Sequence, residues 1–176
     1  MLNMMKIYYK TPYQQRGAAV VEFAIIAMLL FTLLFGIIEF GRLFYVFNTV
    51  QEVTRRAARE AVVSCVDNSN TSPAKISALF GGTSLPAGAE IAVGNINIAY
   101  LNASNIAITG TNLPSCPTGN VSACLNGIGP ANCVAFVQVS ITGATYAPMV
   151  GLFPFLAVPI PDSTVTMPAE SLGYRS

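Results

Sequence analysis

This chain of 176 residues is 53% hydrophobic and only 10% charged, unlike a typical soluble protein. Its net charge of +1 leaves no basic face for phosphates, so we expect no nucleic-acid partner. The chain contains no His, the usual neutral-pH general base and commonest metal ligand, so we expect no catalysis, no metal and no cofactor.

The first predicted element is a membrane-spanning helix over residues 18–38, in which Glu22 is the only charge. These 21 residues give roughly 32 Å of helix, which is enough to cross a hydrocarbon core of about 30 Å. Lys6, Lys10 and Arg16 precede the helix without any acidic residue among them. The basic leader is expected to stay in the cytoplasm, which sends the rest of the chain across a bacterial inner membrane, with membrane lipid as a partner.

Other targeting signals fit this segment less well. A secretory signal has a shorter apolar core, of about 7 to 15 residues, followed closely by a small-x-small cleavage site. Here the run ends instead in Glu39-Phe40-Gly41-Arg42, and the lipoprotein-like tetrapeptide at 62–65 comes far beyond it. An uncleaved single-pass receptor or scaffold with a periplasmic interaction domain remains an alternative, whereas scattered carboxylates disfavour a membrane-anchored enzyme.

Glu39 and Arg42 lie three residues apart at the outer end of the span. This spacing permits an ion pair worth a few tenths of a kcal/mol on a helix surface. We interpret them as an interfacial pair that marks the membrane exit, with Arg42 extending outward, while a role in subunit packing stays open.

The helix is predicted to continue beyond the membrane as far as Val66. Residues 39–65 contain no Pro and one Gly, and their apolar residues recur at helical spacing. Glu52 precedes Arg55 and Arg56 in the order that favours helix-surface pairs. A continuous helix over 18–66 would be roughly 73 Å long.

A β-rich domain is predicted over residues 67–176, beginning with a polar linker at 67–75. We expect strands at 89–101, with a β-bulge at Gly94 or Asn95, at 133–142, and at 162–171, where Pro168 indicates a sheet edge. The expected fold class is α+β, with a long N-terminal helix followed by a small, mainly antiparallel sheet that packs on its outer half.

All four cysteines lie on the outer side of the predicted span, which favours disulfides over metal binding. They are Cys65, Cys116, Cys124 and Cys133. Three pairings are open, and a bridge from Cys65 to the 116–133 region would tie the helix to the sheet. Spacings of eight and nine residues without any His do not match the usual zinc pattern.

The sequence "RGAAVVEF" at 16–23 resembles a type IVb prepilin processing site of the Flp and Tad class. The longer stretch 16–60 resembles the start of TadE-like pseudopilins, with matches at Gly36–Arg42 and Ala58–Glu60. The resemblance implies cleavage between Gly17 and Ala18, which makes Glu22 and Phe23 the fifth and sixth residues of the mature chain.

The resemblance also implies a pilin-like fold and a minor pseudopilin of a Tad/Flp pilus, acting in assembly, surface attachment or secretion. Its implied partners are prepilin peptidase, other Tad/Flp pilins and pseudopilins, and the inner-membrane assembly platform. It implies a location in the inner membrane and, after assembly, in the extracellular pilus.

The chemistry of the processing site agrees with this resemblance. Cleavage would create an α-ammonium at Ala18, and a charge in apolar surroundings is costly unless it is paired. The resemblance implies that Glu22 of one subunit meets this amine of a neighbour. The alternative is that Glu22 only interacts with the helix dipole.

The segment 145–161 carries four prolines and several large apolar residues, and it resembles the Pro-rich connection before the last strand of many TadE-like proteins. Two interpretations stay open. The segment either covers one end of the sheet or forms an exposed apolar patch for a neighbouring subunit.

Overall fold

The computed structural model describes residues 15–114, 118–125, 132–169 and 172–173. It has a long helix followed by a small antiparallel sheet domain, which confirms the predicted α+β class. The predicted leader, apart from its last residues, and Cys116 lie outside the described residues.

Helix α1 spans Gln15–Ala61 without interruption. The prediction that it reaches Val66 is wrong by one turn. Val62 and Ser64 still donate to the carbonyls of Ala58 and Glu60. Beyond them the backbone groups have tertiary partners: Gly173 N–H donates to the carbonyl of Ser64 at 3.1 Å, and Asp67 N–H donates to the Tyr100 hydroxyl at 2.9 Å. These partners replace the next intrahelical hydrogen bonds and turn the chain away from the helix axis.

The predicted linker at 67–75 instead enters a short helix, α2, at Pro73–Ala78. Pro73 occupies the first turn, where its missing N–H is not needed. Before it, Asn68 covers the sheet edge by accepting from Ile98 N–H at 3.0 Å. Lys75 donates to the carbonyl of Asn68 at 2.8 Å, and burial lowers the pKa of its ammonium. The polar residues at 67–75 therefore connect α2 to the sheet through hydrogen bonds.

Two antiparallel β-units follow. Strands β1 (Ser84–Leu85) and β2 (Gly88–Ala92) form a hairpin. Strands β3 (Ile96–Leu101), β4 (Phe136–Ile141) and β5 (Ser163–Pro168) form a sheet in that order. Helix α3 (Thr118–Leu125) lies in the long β3–β4 connection. The sheet places β5 at an edge, which confirms the prediction made from Pro168.

The single bulged strand predicted at 89–101 is wrong. A 3₁₀ turn at Val93–Asn95 separates β2 from β3, which belong to different sheets. The Asn95 side chain accepts a hydrogen bond from Ala92 N–H at 3.0 Å, and this bond stabilises the turn. The predicted bulge position thus marks the point at which the chain passes from one sheet to the other.

The core lies between one face of the sheet and the outer half of α1. Alternate residues of β4, namely Val137, Val139 and Ile141, are buried, as their alternation predicts. The face of α1 that covers them recurs every three or four residues, at Val46, Val50, Val53, Ala57 and Ala61. The side chains of α1 that the domain buries therefore all lie beyond the predicted span.

Replacing Ile141 by Ala should destabilise the domain by about 2 to 5 kcal/mol, because Ile141 is 1% exposed on the central strand and its loss leaves a cavity. The matched Ile106→Ala variant removes the same atoms from a side chain that is 63% exposed, and should change stability by about 0.5 kcal/mol or less. Urea unfolding of the full chain in detergent micelles, followed by circular dichroism, measures both. Equal costs would contradict the placement of the core.

Candidate functional site

The inner half of α1 presents an uncovered apolar surface. Among the described residues, α1 is the one helix long and apolar enough to cross a membrane, and none of its most apolar window is buried. Large apolar side chains point outward all along this half, including Val20, Val21, Phe23, Ile25, Ile26, Met28, Leu29, Leu30, Phe31, Leu33, Ile37 and Ile38. A helix that is apolar all round needs a lipid or protein environment, so this surface is compatible with a membrane anchor.

The residues predicted to form the processing site lie together in the first three turns of α1. Phe23 is 73% exposed, and Glu22 is exposed beside it. Ala18 precedes Glu22 by one helical turn, roughly 6 Å along the axis. A Cβ added to Gly17 would meet no atom within 4 Å, so packing within the described chain does not require glycine there.

Glu39 has a very different environment, because it is only 1% exposed. The Tyr146 hydroxyl donates to its Oε1 at 2.5 Å, and Met149 N–H donates to the same oxygen at 3.1 Å. Arg42 Nη1 lies 3.6 Å from Oε1. The segment that covers this carboxylate in the folded domain thus lies more than 100 residues away in sequence.

Arg42 also faces the domain. Its Nε donates to the carbonyl of Ala87 at 2.9 Å and its Nη1 to the carbonyl of Ala147 at 2.8 Å, while Nη2 is ion-paired with Glu90. The guanidinium carbon lies 4.8 Å from the centre of the Tyr146 ring. The expectation that Arg42 extends outward is therefore wrong: its donors are used to hold the β1–β2 turn and the 145–161 segment.

We call Glu39, Arg42, Glu90 and Tyr146 the helix anchor. Its charges and hydrogen bonds join α1 to two separate parts of the domain, so removal of one partner would leave another buried and unsatisfied. Burial raises the pKa of Tyr146 to about 12, and the hydrogen bond to Glu39 acts in the same direction. The phenol therefore stays a neutral donor to the carboxylate.

Sequence reasoning missed two members of the helix anchor, Glu90 and Tyr146. Glu90 is a lone charge: the chain has no other charged residue between Lys75 and Asp162. A single carboxylate in a region without other charges indicates that it has a specific partner. Its isolation in the sequence could therefore have identified Glu90 as a candidate for a buried ion pair. For Tyr146 no such signal exists, since its sequence neighbours do not reveal contact with Glu39.

The disulfide in the described residues joins Cys124 to Cys133, with Cα atoms 4.8 Å apart. It links the last turn of α3 to the segment that leads into β4. Neither cysteine therefore forms the bridge to Cys65 that would have tied α1 to the sheet. Within these ranges no three His, Cys, Asp or Glu side chains cluster as metal ligands.

Comparison with known families adds a finding for α1. Residues 17–59 match the family model described as TadE-like protein, which is consistent with a TadE-like protein of Tad pilus systems. No curated protein and no solved structure matches the chain. The match covers nearly all of α1 and none of the sheet domain.

Raising the pH from 10 to 12 should destabilise the protein through Tyr146. Its folded pKa lies above the ordinary value, so the folded state keeps a proton that the unfolded state loses; this stability is complete below pH 10 and is lost as the pH passes 12. The loss should be roughly 2 to 3 kcal/mol. Urea unfolding of the full chain in micelles measures it.

Two variants isolate this contribution. Tyr146→Phe should flatten the decline over this pH range and cost about 1 to 3 kcal/mol below pH 10, because Glu39 loses a donor while staying buried. Tyr45→Phe removes a hydroxyl that bonds only the Pro86 carbonyl on the surface, and should keep the wild-type pH dependence. Equal slopes for all three proteins would refute the assignment.

Proposed function

We propose that this chain is a minor pseudopilin of a Tad/Flp, type IVb, pilus, without catalytic activity of its own. The observation that carries the proposal is the uncovered apolar half of α1, whose first turns hold Gly17, Ala18, Glu22 and Phe23. The family match over the same helix supports it. Its role would lie in pilus assembly, surface attachment or secretion.

In this proposal the chain is made as a membrane prepilin. The basic leader stays in the cytoplasm and the sheet domain lies in the periplasm, as the charge distribution favours. The peptide bond after Gly17 lies in the first turn of α1, where helix ends open easily. Because Gly17 lacks a side chain and is not packed, a peptidase at the cytoplasmic face could reach this bond closely.

Cleavage would place a new ammonium one helical turn from the Glu22 carboxylate. No described side chain pairs with Glu22 in the isolated chain, and apolar surface surrounds it. When α1 packs against neighbouring helices, an unpaired carboxylate in that environment would cost several kcal/mol. The amine of an adjacent subunit would remove this cost, which gives Glu22 a role in assembly.

The division of α1 suits this function. The sheet domain covers α1 only from about Gly36 onward, where the Gly36 Cα lies beside the Phe153 ring. The remaining inner half is left free to exchange lipid for other pilin helices without any rearrangement of the domain. The helix anchor would keep the domain fixed to α1 during that transfer.

Processing predicts a defined change of mass. Full-length protein expressed in membranes with the cognate prepilin peptidase should yield a chain that begins at Ala18, whereas without the peptidase it should begin at Met1. Intact-mass spectrometry distinguishes the two. A chain that begins at Met1 in both samples would favour the uncleaved receptor or scaffold and reject the pseudopilin.

Replacing Glu22 by Ala should leave cleavage largely intact but abolish most piliation in the native host, because the new amine loses its countercharge. Glu52→Ala is the matched control, since Glu52 is a half-exposed carboxylate on the outer part of the same helix, paired only with Arg56. It should preserve both cleavage and pili. Normal piliation of the Glu22→Ala strain would remove the pairing role.

A further inference from the structure

The loop at 149–156 lies against the end of the apolar half of α1. Phe153 is buried there, and a Cβ on Gly36 would lie 3.5 Å from the tip of its ring. Gly36 belongs to the predicted span and lies roughly 3 Å inside its end at Ile38. The loop therefore reaches back along the helix to the level of the membrane boundary.

The outer side of this loop is apolar and uncovered. Met149 is 77% exposed, Leu152 is 52% exposed and Phe155 is 69% exposed. We call these three side chains the loop cluster. Phe155 meets the buried Phe153 edge to face, with ring centres 6.1 Å apart, so this member of the cluster packs on a buried ring.

Charge does not prevent this surface from entering lipid. Residues 91–161 contain no Asp, Glu, Lys or Arg. The charges of α1 at this level, Glu39 and Arg42, face the domain and are hydrogen-bonded beneath the same loop. Burying the loop cluster would thus desolvate no unpaired charge, which is the main cost of placing protein in the acyl region.

We propose that the loop cluster inserts into the acyl boundary of the leaflet where α1 leaves the membrane. This inference rests on the membrane span in the proposed function. The apolar surface of the loop continues that of α1, and a depth of about 5 to 10 Å is usual for apolar groups that lie in the interface. The insertion would hold the sheet domain against the bilayer surface until the subunit is incorporated into a pilus.

The test uses tryptophan, because the natural chain contains none. Full-length variants Leu152→Trp and Phe155→Trp each carry a single reporter, reconstituted at one chain per lipid nanodisc. Leu29→Trp reports the middle of the span. Ile106→Trp is the matched control, since Ile106 is similarly exposed but lies in a different loop. Fluorescence is recorded in lipids brominated near the headgroup end or near the bilayer centre.

We expect both loop reporters to be blue-shifted and to lose roughly half or more of their emission to bromines near the headgroup end. Ile106→Trp should show neither effect, and Leu29→Trp should be quenched most by central bromines. Loop reporters that resemble Ile106→Trp, or that are blue-shifted without any quenching, would overturn loop insertion while leaving the span intact. An unquenched Leu29→Trp would overturn the span and the insertion together.

Discussion

The arrangement of this protein depends on the burial of one helix carboxylate, Glu39. A charge at 1% exposure is tolerated only with donors, and two of these come from the 145–161 segment, through the Tyr146 hydroxyl and Met149 N–H. Once that segment is held there, Arg42 finds the carbonyl of Ala147 and the carboxylate of Glu90 within reach. The interaction therefore brings distant parts of the domain to one turn of α1.

This constraint divides α1 into two parts with different uses. Beyond the anchor, a face of small and β-branched residues packs on the sheet, and the domain provides its own stability. Before the anchor, the most apolar window of the helix is not buried by the described chain. A helix that was buried along its whole length could not exchange lipid for neighbouring subunits, so the limited reach of the domain is what keeps the proposed assembly surface available.

Local patterns predicted the fold well where a residue's role is decided by its sequence neighbours. The alternation of Val137, Val139 and Ile141 identified the central strand, and Pro168 identified an edge. The predictions failed where a distant contact decides. The end of α1, the role of Asn68 and the partners of Arg42 depend on residues far away in sequence. The proposed processing residues form a local motif, and the Glu39–Arg42 pair follows from helical spacing, whereas the contact of Tyr146 with this pair depends on the fold.

The helix anchor also fixes how the domain is rotated about α1. One residue along an α-helix changes the direction of a side chain by about 100°, so a slip of one position would carry Glu39 away from Tyr146 and leave both without their partner. The apolar face opposes such a slip as well, because a shift of one position would bring Glu52, Arg56 and Glu60 under the sheet. The helix anchor and the apolar face together therefore give the domain one orientation on its helix, and with it a defined position of the 149–156 loop relative to α1.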